Sequence, residues 1–375
     1  MNKINSIITF IGLLTLYGCG SLNPNYLDSE APKTINVEGR SLEKRFYLLG
    51  DAGVADSDES NEALEAFNAL IANEDTSNDH LIFLGDNIYP KGLPAKGEKG
   101  REQAKSRLDI QLQAAKNFKG KTLFIPGNHD WYSKGLKGLK RQEEYVEKVL
   151  DDNEAFQPEN GCPIEKIEIS ENIELIILDT QWYIADWDKH PTINDDCHIK
   201  SRKAFFLEIE NELKKNNEKS LLIAMHHPAF TYGLHGGYYN FQNHVFASGR
   251  SVPVPILASL VTQIRSQGGV SPQDRYNNRY NELMNRIITL ATDSDRVIFA
   301  SGHEHTLQYI ENQGIKQIIS GSGSKEAPVN LGKGAQFVSG RRGFAVLDVF
   351  NDGSSVVKFY GSENKTPTLL FSAEV

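Results

Sequence analysis

Cysteine and positive charge are both scarce in this sequence. Three cysteines occur among 375 residues, and the formal net charge is −9 at pH 7. A broad nucleic-acid-binding surface needs clustered Lys and Arg to neutralise backbone phosphates. We therefore expect no nucleic-acid partner. An anionic substrate would need local positive charge, which bound metal ions could supply.

A long apolar run is also missing. The apolar run at residues 7–17 is broken by Gly12 and Thr15, and it is too short to cross a hydrocarbon core, which takes roughly 20 apolar residues as a helix. The chain as a whole contains 39% hydrophobic and 24% charged residues, which is close to the average for folded soluble proteins. Its length is enough for one large domain or two ordinary ones.

The N-terminus has the features of an export signal. Lys3 precedes the apolar run, and the run leads into Leu16-Tyr17-Gly18-Cys19. This ending resembles the lipobox of bacterial lipoproteins, in which the signal is cut before the Cys and the thiol receives lipid. The resemblance implies a signal peptide at residues 1–18, a lipid anchor at Cys19 and a membrane-attached lipoprotein, in the bacterial periplasm or on the cell surface. The alternative is ordinary cleavage nearby that leaves Cys19 free.

Two cysteines remain if Cys19 is lipidated, namely Cys162 and Cys197. An exported compartment permits disulfides, and an even number of cysteines favours one. Both lie in loop-like surroundings and outside the polar clusters described below. A structural disulfide and two free thiols are the two interpretations that we consider.

Short apolar runs alternate with helix-like periodic stretches over most of the chain. The runs are predicted strands, at residues 46–49, 81–84, 123–125, 173–178, 221–225, 297–300, 315–319, 344–349 and 355–360. The main predicted helices lie at residues 59–72, 100–118, 201–216 and 276–291. This order predicts an α/β fold with a largely parallel central sheet, on which a second sheet packs, with helices on the outside.

Two stretches depart from this alternation. Residues 19–44 are polar, contain Pro24 and Pro32, show no sustained periodicity and are interpreted as a tether. Residues 233–274 contain many Gly, Tyr, Asn and Pro residues and one short helical candidate at 256–264. We interpret them as an insertion near the functional site, within a single domain at residues 45–375.

Polar clusters follow five of the predicted strands. They are Gly50-Asp51-Ala52-Gly53, Gly85-Asp86-Asn87-Ile88-Tyr89, Gly127-Asn128-His129-Asp130, His226-His227 and Gly302-His303-Glu304-His305. Polar groups at the carboxyl ends of strands in an open α/β sheet converge on one crevice. Any one cluster is more often a simple turn, but five in order, each at a strand end, indicate a shared site.

The donor types in these clusters suit a metal centre. Oxygen donors and imidazoles together suit iron, zinc or manganese, and the absence of Cys from every cluster argues against a thiolate site. A two-metal site needs a carboxylate that bridges ions about 3.5–4 Å apart. Asp86 is the candidate bridge.

The clusters resemble those of the calcineurin-like metallophosphoesterase superfamily and, within it, of the purple acid phosphatases. The resemblance extends from about Phe46 to His305 and beyond. Many superfamily members carry His two residues after the first Asp, where this chain has Gly53. Tyr89, three residues after the second Asp, matches the purple-phosphatase pattern. No Asp-Arg pair follows Asn87, which separates the chain from the protein Ser/Thr phosphatases.

This resemblance implies a four-layer αββα domain, a two-sheet β-sandwich flanked by helices, with two metal ions. Metal one would be held by Asp51, Asp86, Tyr89 and His305, and metal two by Asp86, Asn128, His226 and His303. A phenolate at Tyr89 suits Fe(III) at the first position. Fe(II), Zn or Mn would all accept the donors of the second position.

The implied reaction is hydrolysis of a phosphate monoester, in a phosphorylated small molecule or peptide, by a metal-bound hydroxide that attacks phosphorus. The leaving alcohol needs a proton, and imidazole changes charge in the working pH range. The candidate donors are His129, in the family's Gly-Asn-His motif, and His235, nine residues after His226. Either could instead only orient neighbouring ligands.

Two other functions stay open at this stage. The same metals could cleave phosphodiesters or pyrophosphates, if the insertion at residues 233–274 formed a wall for a larger substrate instead of closing the cleft. A noncatalytic surface protein that binds metal or phosphate is less favoured, because all seven ligands are present.

Weaker predictions concern residues beside the ligands. His227 and Glu304 are expected to be structural. Gly321-Ser322-Gly323-Ser324-Lys325 could cradle phosphate through its backbone N–H groups, although a flexible turn is the favoured interpretation.

Overall fold

The computed structural model describes residues 20–28, 35–55, 60–246, 252–269, 271–292, 294 and 296–375. The predicted signal peptide and Cys19, the predicted site of lipidation, lie outside the described residues. Among the helices in these ranges, none combines the length and the apolar character needed to cross a membrane.

Strands and helices alternate along the first two thirds of the chain, and strands dominate the last third. The strands are β1 (Asn25–Tyr26), β2 (Leu42–Leu49), β3 (His80–Phe83), β4 (Lys121–Phe124), β5 (Ile164–Ser170), β6 (Ile173–Leu178), β7 (Ser220–Met225), β8 (Val297–Ser301), β9 (Leu307–Asn312), β10 (Ile315–Ser320), β11 (Ala335–Ser339), β12 (Gly343–Phe350), β13 (Ser355–Glu363) and β14 (Thr366–Glu374). The α-helices are α1 (Glu62–Ile71), α2 (Arg101–Asn117), α3 (Asn128–Trp131), α4 (Leu136–Leu150), α5 (Thr180–Ile184), α6 (Arg202–Lys215), α7 (Phe241–Val245), α8 (Pro255–Ser266) and α9 (Asn278–Ala291).

The strands form two mixed sheets. One sheet has six strands in the order β14-β13-β12-β2-β3-β4, and the other has eight in the order β1-β11-β9-β10-β8-β7-β6-β5. Strands β2, β3 and β4 run parallel in the first sheet, and β6, β7, β8 and β10 run parallel in the second. Both sheets therefore contain the parallel arrangement that the sequence predicted, completed by antiparallel strands.

Alternating side chains of the central strands fill two different cores. Phe46 and Leu48 of β2 belong to the core that also contains Ile177 of β6, on the opposite sheet. Tyr47 and Leu49 point the other way, into the core under the helices. Successive side chains of a strand face opposite sides of a sheet, so a strand covered on both faces is a continuous apolar run. The predicted sandwich of two sheets flanked by helices is confirmed.

Part of the predicted tether pairs with the eight-stranded sheet. Asn25 and Tyr26 form β1 opposite Val338 and Phe337 of β11, and Ser21 exchanges backbone hydrogen bonds with Val329. A two-residue strand has no periodicity of its own. The sequence also did not predict β5, β9, β11 and β14, because their apolar residues are interrupted by polar ones.

Cys162 and Cys197 form a disulfide, with Cα atoms 5.4 Å apart. The bond joins the segment just before β5 to the loop that precedes α6. Of the two interpretations of this pair, the structural disulfide is therefore the one that the structure supports.

We expect the disulfide to stabilise the fold mainly by restricting the unfolded chain. The two cysteines are 35 residues apart, and closing a loop of this size is worth about 3–4 kcal/mol in the chain-entropy treatment. The double variant Cys162→Ala/Cys197→Ala should lose up to that free energy of unfolding in urea titrations. Reduced wild type should match the variant, and equal stability of the oxidised wild type and the variant would contradict the expectation.

Candidate metal centre

Loops at the carboxyl ends of five strands bring the seven predicted metal ligands into one region. The six-stranded sheet contributes Asp51 after β2, Asp86 and Tyr89 after β3, and Asn128 after β4. The eight-stranded sheet contributes His226 after β7 and both His303 and His305 after β8. All are buried except His305, which is partly exposed. The site therefore lies where corresponding edges of the two sheets meet.

Asp51, Tyr89 and His305 form a first group of possible metal-ligand donors, here called the first donor group. The Tyr89 hydroxyl lies 2.6 Å from Asp51 Oδ1 and 3.0 Å from His305 Nε2. His305 Nε2 is itself 3.6 Å from Asp51 Oδ1. These are three of the four residues predicted to hold metal one.

A second group contains three of the four residues predicted for metal two. Asn128 Oδ1 lies 3.2 Å from His226 Nε2 and 3.1 Å from His303 Nδ1. The two imidazole nitrogens are 3.3 Å apart. Three residues of each predicted set therefore lie in mutual contact.

Asp86 lies between the two groups. Its Oδ1 is 3.4 Å from His226 Nε2. Asp51, Asp86 and His226 each offer a ligand atom, and these three atoms lie within 4.8 Å of one another. A carboxylate in this position can reach both groups, as the bridging role requires.

The protonation pattern of the second group fits a cation. His226 Nδ1 donates to the Leu84 carbonyl oxygen at 2.8 Å, and His303 Nε2 donates to the Gln273 carbonyl oxygen at 2.9 Å. In the neutral rings these bonds fix the tautomers, so the opposite ring nitrogens can present lone pairs to a metal ion. Together with Asn128 Oδ1, these nitrogens form a buried set of possible ligand atoms that face one another. A metal ion would contact all of them at once.

Burial and mutual charge shift the protonation equilibria of the metal-free centre. Burial raises the pKa of Asp51 to about 7. Burial opposes the charge on Asp86 as well, but the neighbouring His226 and His129 outweigh it and lower the pKa of Asp86. Burial also lowers the pKa of His226, yet Asp86 and Asp51 outweigh it and raise that pKa to about 9. The carboxylates thus hold a proton on His226, at a position where a metal ion would supply the positive charge instead.

Three predicted ligands have left-handed backbone conformations. The φ angles are 58° at Asp51, 52° at Asp86 and 69° at His303. Such a conformation costs an ordinary residue on the order of 1–3 kcal/mol and is common at functional sites. The surrounding hydrogen bonds hold it, since Asp51 N donates to the Gly85 carbonyl oxygen at 3.0 Å and His303 N donates to Asp51 Oδ2 at 2.7 Å.

Close backbone packing explains why Gly53 stands where related sequences carry His. A Cβ atom at this position would lie 2.5 Å from the Asp86 carbonyl oxygen and 2.6 Å from Ile88 N. Tyr89 N also donates to the Gly53 carbonyl oxygen at 3.1 Å. The Tyr89 loop therefore occupies the space of a side chain at position 53, and its hydroxyl reaches the first donor group.

Asp130 connects two of the ligand loops, a role that the sequence analysis did not assign. Its buried carboxylate accepts hydrogen bonds from Gly127 N at 2.8 Å, Asn87 N at 3.1 Å and Gln142 Nε2 at 2.9 Å. Gly127 precedes the ligand Asn128, and Asn87 follows the ligand Asp86. The position of Asp130 at the end of the Gly-Asn-His-Asp cluster was the available signal.

His129 borders the centre and remains partly accessible to solvent. Its Nδ1 donates to the Pro90 carbonyl oxygen at 2.7 Å, and its Nε2 lies 3.9 Å from Asp86 Oδ2. Its backbone N–H donates to Asp86 Oδ1 at 2.8 Å. The ring is therefore held with Nε2 on the side of the metal ligands.

His235 reaches the centre from the insertion. Its ring centroid is 4.2 Å from that of His303, and its Nδ1 lies 3.2 Å from Asp274 Oδ1. Arg265 also binds the Asp274 carboxylate. Gln273, whose carbonyl oxygen orients His303, belongs to the same insertion. The predicted placement of this segment beside the site agrees with the structure.

His227 and Glu304, which lie next to predicted ligands in the sequence, form hydrogen bonds with residues of the surrounding loops. His227 is buried, with Nδ1 2.7 Å from Thr180 Oγ1 and Nε2 2.6 Å from Gln273 Oε1. Glu304 accepts a hydrogen bond from Gly236 N at 3.1 Å. Both side chains therefore hold the surrounding loops together.

Lys325 brings a positive charge to the first donor group. Its Nζ lies 3.3 Å from the centroid of the Tyr89 ring. The preceding Ser324 donates through Oγ to the Asp51 carbonyl oxygen at 2.5 Å. Burial lowers the pKa of Lys325, although Asp51 and Asp86 act in the opposite direction. The segment at residues 321–325 thus borders the centre through a side-chain cation, which the sequence analysis did not single out.

A sandwich of two sheets between helices, with buried carboxylates and imidazoles at the facing strand ends, defines the class of metallophosphoesterases. The family model described as calcineurin-like phosphoesterase matches residues 44–307, which is most of the chain. The chain therefore belongs to this family. A search of curated proteins found no match.

Two solved structures share the fold. GAP50, the anchor in the inner membrane complex of Plasmodium, is 17% identical with a TM-score of 0.53, and the alignment covers 88% of this chain and 89% of that chain. The purple acid phosphatase PPD1 from yellow lupin (Lupinus luteus) seeds is 14% identical with a TM-score of 0.50, over 88% of this chain and 53% of that chain. The present chain thus spans about half the length of the lupin enzyme.

The variant Asp130→Asn should weaken metal binding without removing a predicted ligand. The amide has one acceptor oxygen fewer for the N–H groups of the loops. Loss of a residue that holds metal ligands in place typically lowers the metal affinity by about 10–100-fold. Competition of the protein with a chromophoric chelator for Zn(II) measures the affinity. Glu143→Gln is the matched control, because it alters a buried carboxylate of α4 that accepts from Asn160 N at 2.8 Å. Equal affinity of the Asp130→Asn variant and wild type would show that Asp130 does not position the ligand loops.

Proposed function

We propose that the protein hydrolyses phosphate monoesters at a dinuclear metal centre. The observation that carries the proposal is the arrangement of two donor groups, Asp51-Tyr89-His305 and Asn128-His226-His303, on either side of Asp86. Membership of the calcineurin-like phosphoesterase family supports the reaction class. When bound, the two metal ions would offset the charge of the phosphoryl oxygens and lower the pKa of water.

The proposed first position holds Fe(III), because it contains the phenolic oxygen of Tyr89 and the carboxylate of Asp51. Burial raises the pKa of Tyr89 well above its usual value, with Asp51 acting in the same direction. A phenol in this environment gives up its proton only to a strongly charged cation. The second position, built from neutral amide and imidazole donors and the Asp86 carboxylate, suits Fe(II), Zn or Mn.

His129 is the favoured proton donor to the leaving alcohol. Its Nδ1 is engaged by Pro90, so Nε2 is the atom that carries the exchangeable proton. Its partial exposure allows that proton to be replaced from solvent. His235, held by Asp274, serves on the insertion side of the centre as the second candidate.

Lys325 complements the proposed substrate. Its ammonium group lies at the edge of the first donor group, where a phosphate with two negative charges would gain from it. A diester carries one negative charge fewer. The cation therefore favours the monoester over the diester.

The insertion also favours a small substrate. His235 packs against His303, and Gly233 lies so close to Glu304 that a Cβ there would approach a carboxylate oxygen to 2.3 Å. This segment thus closes one side of the cleft at the second donor group. A phosphorylated small molecule or a phosphorylated peptide side chain fits in such a cleft more readily than a chain with substituents on both sides of phosphorus.

A noncatalytic role is the second candidate. The fold is shared with GAP50, which is described as an anchor in an inner membrane complex. A protein of this architecture can therefore serve another purpose than turnover. The complete donor set in the present chain favours the enzyme.

We also propose attachment to a membrane through lipid at Cys19, in the bacterial periplasm or on the cell surface. The lipobox-like sequence Leu16-Tyr17-Gly18-Cys19 supports this location. Ser21, two residues later, is bonded to Val329. The anchor would consequently hold the domain close to the lipid surface.

Release of the aryl alcohol from an aryl phosphate and from a bis-aryl phosphate, with protein loaded with iron, tests the proposal. The monoester should be the better substrate by kcat/KM. The variant Asp86→Asn should abolish the activity while circular dichroism shows a retained fold, because the amide cannot bridge two cations. Asp179→Asn, at another buried strand end, is the control and should stay active. Full activity of Asp86→Asn would exclude the bridging role, and diester preference would exclude the proposed substrate class.

The variant Tyr89→Phe tests the proposed Fe(III) position separately. A phenolate bound to Fe(III) produces a broad visible absorption band, and phenylalanine has no oxygen to produce it. We expect the band of iron-loaded wild type to disappear in the variant, with the iron content measured on the same sample. An unchanged band in the variant would show that Tyr89 is not a ligand.

A further inference from the structure

Helix α8 exposes its large apolar side chains and buries its small ones. Ile256 is 88% exposed, Leu257 49% and Leu260 54%. The buried residues of the helix are Ala258 and Thr262. A surface helix of a globular protein normally shows the opposite arrangement, with its apolar stripe facing the core. The outward face of α8 is therefore suited to contact with another apolar surface.

The neighbouring segment extends this face. Helix α7 packs on α8, with Val254 N donating to the Val245 carbonyl oxygen at 2.8 Å. The combined surface, here called the apolar patch, consists of Phe241, Phe246, Val252, Ile256, Leu257, Leu260 and Ile264. These are seven of the fourteen large hydrophobic side chains that are exposed in the described part of the chain. Such a concentration marks an interaction surface, whereas scattered exposed residues do not.

Helix α8 adds almost no charge to the apolar patch. Its sequence, Pro-Ile-Leu-Ala-Ser-Leu-Val-Thr-Gln-Ile-Arg-Ser, contains one ionisable side chain, Arg265. The Arg265 guanidinium is engaged by Asp274 through Nε at 3.1 Å and Nη2 at 2.7 Å. The helix can thus enter an apolar environment without desolvating an unpaired charge.

The N-terminal segment of the domain adjoins the insertion that carries the apolar patch. Ser21 pairs with Val329, and Asn330 N donates to the carbonyl oxygen of Tyr232 at 3.1 Å. The insertion begins at the next residue, Gly233. A lipid on Cys19, two residues before Ser21, would therefore lie on the flank of the domain where the insertion that carries α7 and α8 begins.

We propose that the apolar patch docks into the lipid bilayer to which Cys19 attaches the protein. The inference rests on the proposed attachment, because that attachment would hold the start of the insertion that carries the patch close to a bilayer. The described residues begin beside this flank, after the apolar run at residues 7–17. A bilayer also accepts an uncharged apolar face without matching side chains, whereas a second copy of the chain would require complementary contacts.

Docking has a consequence for the metal centre. The same insertion supplies His235, which packs on His303, and Gln273, which orients that ligand. A docked patch fixes the insertion, and with it one wall of the centre, at the lipid surface. The centre would then act on phosphate esters presented within a short distance of the bilayer.

Tryptophan fluorescence in vesicles tests the docking. The full chain carrying Leu260→Trp is reconstituted into phosphatidylcholine and phosphatidylglycerol vesicles, with or without brominated acyl chains, after which flotation measures attachment. A docked face lies about 5–10 Å into the bilayer, so bromine should lower the added emission roughly two-fold. Leu207→Trp is the matched control, because Leu207 is 50% exposed on α6, outside the patch. The wild type corrects for the three native tryptophans.

Quenching of the Leu260→Trp variant alone supports docking. If both variants float and neither is quenched, the attachment stands and docking is wrong. Equal quenching of both variants would indicate nonspecific adsorption and also overturn docking, and failure of both to float would overturn attachment and docking together. Sedimentation in detergent gives the remaining outcome. A dimer that Leu260→Asp dissociates and Leu207→Asp does not, without quenching in vesicles, would assign the patch to a second copy.

Discussion

The constraint on which the site depends is a buried cluster of imidazole, amide and carboxylate groups that requires a positive charge at its centre. His226 Nε2, His303 Nδ1 and Asn128 Oδ1 face one another within 3.3 Å. The other nitrogen of each imidazole ring donates a hydrogen bond to a backbone carbonyl oxygen, which fixes the orientation of the ring. In the metal-free centre a proton on His226 supplies this positive charge. A bound metal ion would supply it instead.

Two structural features restrict the backbone of the loops around the site. Asp51, Asp86 and His303 adopt left-handed conformations, and the carboxylate of Asp130 gathers N–H groups from two of the loops. Both restrict the positions of the donors, which is what a metal centre requires when its ligands come from two different sheets.

The insertion links the centre to the outer surface of the protein. On one side it holds His303 through Gln273, and on the other it exposes the uncharged face of α8. The proposed monoesterase activity and the proposed docking to lipid thus involve the same segment, the insertion at residues 233–274.

The fold class and the set of candidate ligands could be predicted from local patterns in the sequence. Apolar runs that end in Gly-Asp, Gly-Asn or Gly-x-His-x-His are local patterns, and the parallel strands that they predict bring their ends together. Three other features depend on residues that are distant in the sequence, and only the tertiary structure shows them. It paired Cys162 with Cys197, placed β1 beside β11 and turned the apolar side of α8 outward. These outcomes depend on contacts between segments far apart in the chain, and periodicity along a single segment contains no information about them.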